Sequence, residues 1–197
     1  MDTTSENIDL KNYKPVKSVN TITERDETGT GDSNDTPVIK WNDESNSQYS
    51  FIPNQKITVF DVAAYILSKV GTITTMKLHK LVYYSQAWSL VWDDEPLFSE
   101  KIEAWSNGPV IRELFAYHRG NYSISKVLVG NSEILTENQK QTIDAVIDYY
   151  ANKPPQWLIT LTHMEEPWKK ARIGLSPTER GHNEITLESM AEYYSSL

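Results

Sequence analysis

The chain has 197 residues, 19 basic and 27 acidic side chains, a formal net charge of −8 and no cysteine. These totals exclude a disulfide framework and any cysteine-ligated zinc or iron–sulfur site. An acidic chain is also not the default binder of a phosphate backbone.

The charge is unevenly spread. Residues 1–55 hold 5 basic, 10 acidic and 13 apolar side chains, whereas residues 56–197 hold 14, 17 and 63. The first stretch lacks the apolar material to offset its ordering entropy. It is predicted to be a disordered acidic N-terminal arm. The second, with ample core material, is predicted to be a single compact helical domain, mainly α with a minor β component. Two apolar islands interrupt the arm, Val38-Ile39-Lys40-Trp41 and Tyr49-Ser50-Phe51-Ile52. Such islands suit docking on the parent domain or folding on a partner. The first residues lack the basic and apolar regions of a secretory signal, and no stretch reaches the ~20 apolar residues that span a bilayer. A cytoplasmic protein without membrane contact is the expectation.

Within 56–197, Val59, Val62, Ala63, Ile66, Leu67 and Val70 follow the spacing of an amphipathic helix from Thr58 to Val70. Gly71 ends it, and Thr74 is placed to cap a second helix over 75–92. That helix is apolar nearly all round, which predicts burial. Its charged or titratable groups, Lys77, His79 and Lys80, crowd its first turns. Alternation over Lys101 to Trp105 suggests a short extended segment. Gly108-Pro109 reads as the start of a helix bearing Val110, Ile111, Leu114, Phe115 and His118, with Pro109 at its first position and Gly120 at its end. A short extended piece is expected over Lys126 to Val129. Thr136 to Gln139 has capping-box spacing and opens a helix with Ile143, Val146, Ile147 and Tyr150 on one face. A helix from Gln156 to Thr162, a helical turn through Arg172, a polar loop over 174–184 and a last helix capped by Thr186 complete the domain.

Catalytic signatures are sparse. There is no glycine loop for phosphates and no nucleophile elbow. The histidines stand at 79, 118, 163 and 182, and no pair has the i, i+4 spacing that holds a metal on one helical face. No metal and no cofactor are expected. His163 with Glu165 and Glu166 is the best acid–base cluster, since a carboxylate can orient an imidazole. The same residues also read as a plain helix terminus beside Pro167. Lys77 and Lys80 next to Tyr83 and Tyr84 invite a DNA-binding reading of helices 58–92. Against it stand the apolar second helix and the thin positive charge. Trp88, Trp92, Trp105, Trp157 and Trp168 read first as core, with one or two available as interface anchors.

Taken in order, Asp61 to Leu67, Met76-Lys77-Leu78-His79-Lys80-Leu81-Val82-Tyr83-Tyr84-Ser85-Gln86-Ala87-Trp88 and Glu103-Ala104-Trp105-Ser106-Asn107-Gly108-Pro109-Val110 resemble the Panacea domain. This is the SocA-like antitoxin family, also met as phage-associated GepA-like proteins. The later Thr162-His163-Met164-Glu165-Glu166-Pro167-Trp168 and the final helix from Met190 to Tyr194 are similar to its C-terminal pattern. The resemblance runs over 56–197. His79 departs from it, since the family often has Gln there, and the arm lies outside it.

The resemblance implies a mostly helical binding protein without established catalysis. It implies an antitoxin that neutralises a cognate toxin by direct contact, with delivery of the toxin to a protease as one route. The residues expected to carry the family motif or the partner contact are Lys77, Lys80, Tyr83, Tyr84, Trp105, Gly108, Pro109, Val110, His163 and Trp168. A DNA-binding regulator using helices 58–92 is the alternative, and an enzyme built on His163 and Glu165 comes after it.

Overall fold

The computed structural model describes residues 56–197, so the arm expected over 1–55 and its two islands lie outside the described residues. Helix α1 (Val59–Val70) opens on a capping box: the Thr58 amide and hydroxyl both donate to Asp61 Oδ2 at 2.7 Å. Strand β1 (Ile73–Thr74) leads directly into helix α2 (Thr75–Trp92), whose N-cap Thr74 accepts from the Lys77 amide at 3.2 Å.

Helix α2 is the centre of the fold, as its all-round apolarity requires. Around it pack α1, strand β3 (Gly108–Ile111), helix α4 (Glu137–Tyr150), helix α5 (Pro155–Met164) and helix α7 (Leu187–Ser195). Leu78, Leu81, Val82, Tyr83, Tyr84, Ala87 and Trp88 have no exposed surface. The polar residues that interrupt this helix fix loops. Gln86 accepts from the amides of Leu97 and Phe98 and donates to the Phe98 carbonyl, while Ser89 donates to the Glu95 carbonyl at 2.6 Å. An extended segment is thereby satisfied without a partner strand.

Two small antiparallel ladders make up the β component among the described residues. β1 pairs with β4 (Ser123–Ile124), and β2 (Ile102–Trp105) pairs with β3. β3 corrects the expectation of a helix opening at Gly108-Pro109. The Trp105↔Gly108 pair closes a two-residue turn, Ser106-Asn107, with Gly108 at φ +99°. Pro109 lies opposite Ala104, whose amide points away from β3 to the Asn183 carbonyl. That is the position where a missing N–H breaks no ladder bond. Helix α3 (Arg112–His118) begins only at Arg112. Val110 and Ile111 read equally well as helix or strand over so short a run.

The extended piece expected at Lys126 to Val129 lies instead at Ser123–Ile124, where β1 supplies a partner. A 3-10 turn (Ser132–Ile134) precedes α4 and its Thr136/Gln139 capping box. Helix α6 (Glu166–Ala171) follows α5 after the single residue Glu165. The polar loop over 174–184 covers the free edge of β2: Ala104 and Ser106 amides donate to the carbonyls of Asn183 and Arg180, and Ile185 donates to Ile102. Arg172 pins that loop, its guanidinium donating at 2.7 Å to each of the carbonyls of Ala104, Ser176 and Glu179. An exposed edge is thus closed without a third strand.

Candidate functional site

The motif residues converge on the junction of α2, the β2–β3 turn and the α5–α6 corner. At its heart is Lys80, which the second turn of α2 points inward with no exposed surface. Its Nζ donates to the Pro109 carbonyl at 3.1 Å. That carbonyl is free because Pro109 occupies the non-bonded position of the ladder. Gly108 makes room for the amine: a Cβ there would stand 2.5 Å from Lys80 Nζ and 2.8 Å from Thr162 Oγ1. The three residues Lys80, Gly108 and Pro109 are therefore one packing unit drawn from two distant segments. Burial pulls the Lys80 ammonium down to about 7, an effect opposed in part by the negative charge of Glu165.

Glu165 is the buried carboxylate of this region, 1% exposed at the α5–α6 corner. Tyr194 donates to it at 2.7 Å and Tyr84 at 3.2 Å, while the Tyr194 and Tyr83 hydroxyls meet at 3.3 Å. Tyr84 also stacks on Tyr150 with ring centroids 4.1 Å apart. Burial, and then the charge of Glu165, push these phenols well above their ordinary range. They remain neutral donors. The cluster ties α7 to α2 through one carboxylate and α4 to α2 through the Tyr84–Tyr150 stack, and sequence reading singled out Tyr83 and Tyr84 without connecting them to Tyr194 or to Glu165. The signal was present as an acidic pair, Glu165-Glu166, between two helices, and nothing local said which of them faced inward.

His163 does not pair with Glu165 for acid–base work. Its ring stacks on Trp168, centroids 4.0 Å apart, and bonds to the Ser106 backbone, leaving Nε2 buried without a hydrogen-bond partner. Burial, then the nearby Lys80 and Arg172, lower its basicity. Trp168 Nε1 donates to the Trp105 carbonyl at 2.9 Å, so the α5–α6 corner is clamped onto the β2–β3 turn. Trp105 in turn donates to Glu103 at 2.6 Å and lies under Arg180, whose guanidinium is 3.6 Å from the ring centroid.

The DNA-binding reading of α1 and α2 loses its two lysines. Lys80 is buried, and Lys77 Nζ donates to the Ala151 carbonyl at 2.8 Å, capping the end of α4. A recognition helix needs one face free for the groove, and α2 is enclosed by its neighbours.

Beside the junction a cleft of about 180 Å³ opens between the N-terminus of α2, the β2–β3 turn and α3. Trp105, Val110 and Phe115 supply apolar wall, and His79 and His118 supply imidazole. The two rings meet at 2.8 Å between their Nε2 atoms. His79 Nδ1 accepts from the Ile111 amide at 3.3 Å, so its proton sits on Nε2 and His118 Nε2 is the acceptor. Burial, then the neighbouring His118 and Lys80, hold His79 far below the usual imidazole range. The pair is neutral and self-satisfied. No group of three or more metal-ligating side chains is found among the described residues.

The Trp105, Gly108, Pro109 and Val110 of the sequence motif thus meet Lys80, His163 and Trp168 at one place, while Tyr83 and Tyr84 lie further along α2. Most of these side chains build the framework; Trp105 and Val110 also face the cleft. No curated protein and no solved structure matches the chain. A family model does match, and it spans the junction from α2 to α6, a narrower stretch than the motif order suggested. Residues 78–169 match the model of the Panacea domain, antitoxin SocA-like, and that stretch of the chain is similar to this family.

Proposed function

We propose that this chain is an antitoxin-like interaction protein that neutralises a cognate toxin in the cytoplasm by direct protein–protein contact. The family match over 78–169 carries the proposal. The internal chemistry supports it. The groups that sequence reading offered for catalysis or phosphate binding, His163, Glu165, Lys77 and Lys80, are engaged by the protein itself. No helix among the described residues is long and apolar enough to cross a membrane.

Co-expression with the product of the adjacent reading frame tests the proposal. The toxic product should arrest growth alone, and the two proteins together should restore growth and co-purify. Toxicity that persists beside the co-expressed chain, with no co-purification, overturns it. Toxin lifetime in a protease-deficient host separates the two routes: unchanged neutralisation means occlusion, and lost neutralisation means delivery to a protease.

A further inference from the structure

Six large apolar residues are exposed in the described residues, and four of them, Tyr117, Tyr122, Leu128 and Val129, fall within one short stretch. Leu128 and Tyr122 are each 83% exposed and Val129 is 64% exposed, values that no packing demand of this domain explains. They are held in place. The Leu128 amide donates to the Tyr117 hydroxyl at 3.0 Å, and the Tyr117 ring meets Phe60 of α1 edge-on at 5.9 Å. The Asn131 amide donates to buried Asp61 at 2.6 Å, anchoring the far end of the loop. This surface also runs into the cleft. Thr75, which lines the cleft, donates its amide to the Tyr122 carbonyl at 3.0 Å, and Phe115 and His118 share α3 with Tyr117.

The electrostatics of the stretch oppose those of the chain. From Leu114 to Ser132 there are two cations, Arg119 and Lys126, and no Asp or Glu, in a protein of net charge −8. Both cations are exposed and neither has a carboxylate partner among the described residues. Elsewhere Lys69, Lys101, Lys140, Lys169 and Lys170 are all paired.

We infer that the flank formed by α3 from Leu114 onward, β4 and the loop to Asn131 is the docking surface for an acidic protein partner. Resting on the antitoxin reading, the partner is the toxin. Its carboxylates meet Arg119 and Lys126, and its apolar side chains cover Leu128, Val129 and Tyr122. The cleft at Phe115 is sized for one apolar anchor, well below the ~300 Å³ at which small-molecule sites begin. A nucleic acid is the poorer fit. Two cations neutralise little phosphate, and bare Leu128 and Val129 offer nothing to a base edge.

The test uses the full chain and the co-expressed product of the adjacent reading frame. Leu128→Asp with Val129→Asp should weaken binding at least about 30-fold, the scale of a lost hot spot. Arg119→Glu with Lys126→Glu should slow association and remove most of its salt dependence. Ile173→Asp, at an exposed apolar residue after α6, should change affinity less than about twofold. Melting temperatures should match wild type, because these side chains are exposed. Paired-substitution variants that bind the toxin as well as the wild type overturn the docking surface and leave the antitoxin reading intact. A wild type that binds no toxin overturns both. Loss of binding to a 20-nucleotide RNA or duplex DNA probe in these variants, with toxin binding unchanged, overturns it in favour of nucleic acid.

Discussion

Replacing Lys80 with methionine should abolish a pH dependence of stability that the wild type shows on the alkaline side of neutrality. In the folded chain the Lys80 amine has a pKa of about 7, against 10.5 for a solvated lysine. Below pH 7 both folded and unfolded chains bind the proton, and the site adds no slope. Between pH 7 and 10.5 the unfolded chain binds more protons than the folded one, so stability rises with pH. A full unit of pH in this window is worth about 1.4 kcal/mol, and the rise from pH 7 to pH 9 comes to about 2 kcal/mol. Above pH 10 the slope reverses. Tyr83, Tyr84, Tyr150 and Tyr194 have folded pKa values raised above those of the unfolded chain, so the unfolded chain loses those protons first. Methionine keeps the length and apolar stem of lysine and gives up the bond to the Pro109 carbonyl. Its stability should be flat between pH 7 and 9. Urea unfolding followed by tryptophan fluorescence at pH 7, 8 and 9 measures this through the midpoint and the slope. A wild type equally stable at pH 7 and 9 refutes the reasoning, as does a methionine variant that keeps the full rise.

Two further substitutions probe the same junction. Gly108→Ala places a methyl 2.5 Å from Lys80 Nζ on a residue at φ +99°, and should lower stability by about 2–4 kcal/mol; a urea midpoint within experimental error of wild type contradicts the packing unit. Tyr194→Phe removes the 2.7 Å bond to Glu165 and should cost about 1–3 kcal/mol, the penalty of an under-satisfied buried carboxylate; unchanged stability in the same assay means that Glu165 does not depend on that hydroxyl.

Sequence reading by itself reached the helices with strong period or clear caps. α1, α2, α4 and α7 were legible because a helical apolar pattern and a threonine at the start are local features. The resemblance to the family was legible because the motifs occur in order along the chain, and the family model matches residues 78–169. The placement of α2 at the centre followed from composition alone, since a helix apolar on all sides has nowhere else to go.

Tertiary structure decided the rest. Gly108 to Ile111 became a strand because β2 lay beside it, and four residues carry too little period to announce partners 3 to 9 residues away in register. His79 and His118 meet across 39 positions, and Glu165 and Tyr194 across 29, through packing that no local pattern records. Lys80 and Lys77 looked in sequence like free positive charge; the fold spent one on a proline carbonyl and the other on a helix end. The exposed face did not come from any motif. Leu128 and Val129 read as an ordinary extended segment, and only the structure leaves them bare beside two unpaired cations. Local sequence sets which backbone a segment prefers, whereas burial and partnership are properties of the assembled chain.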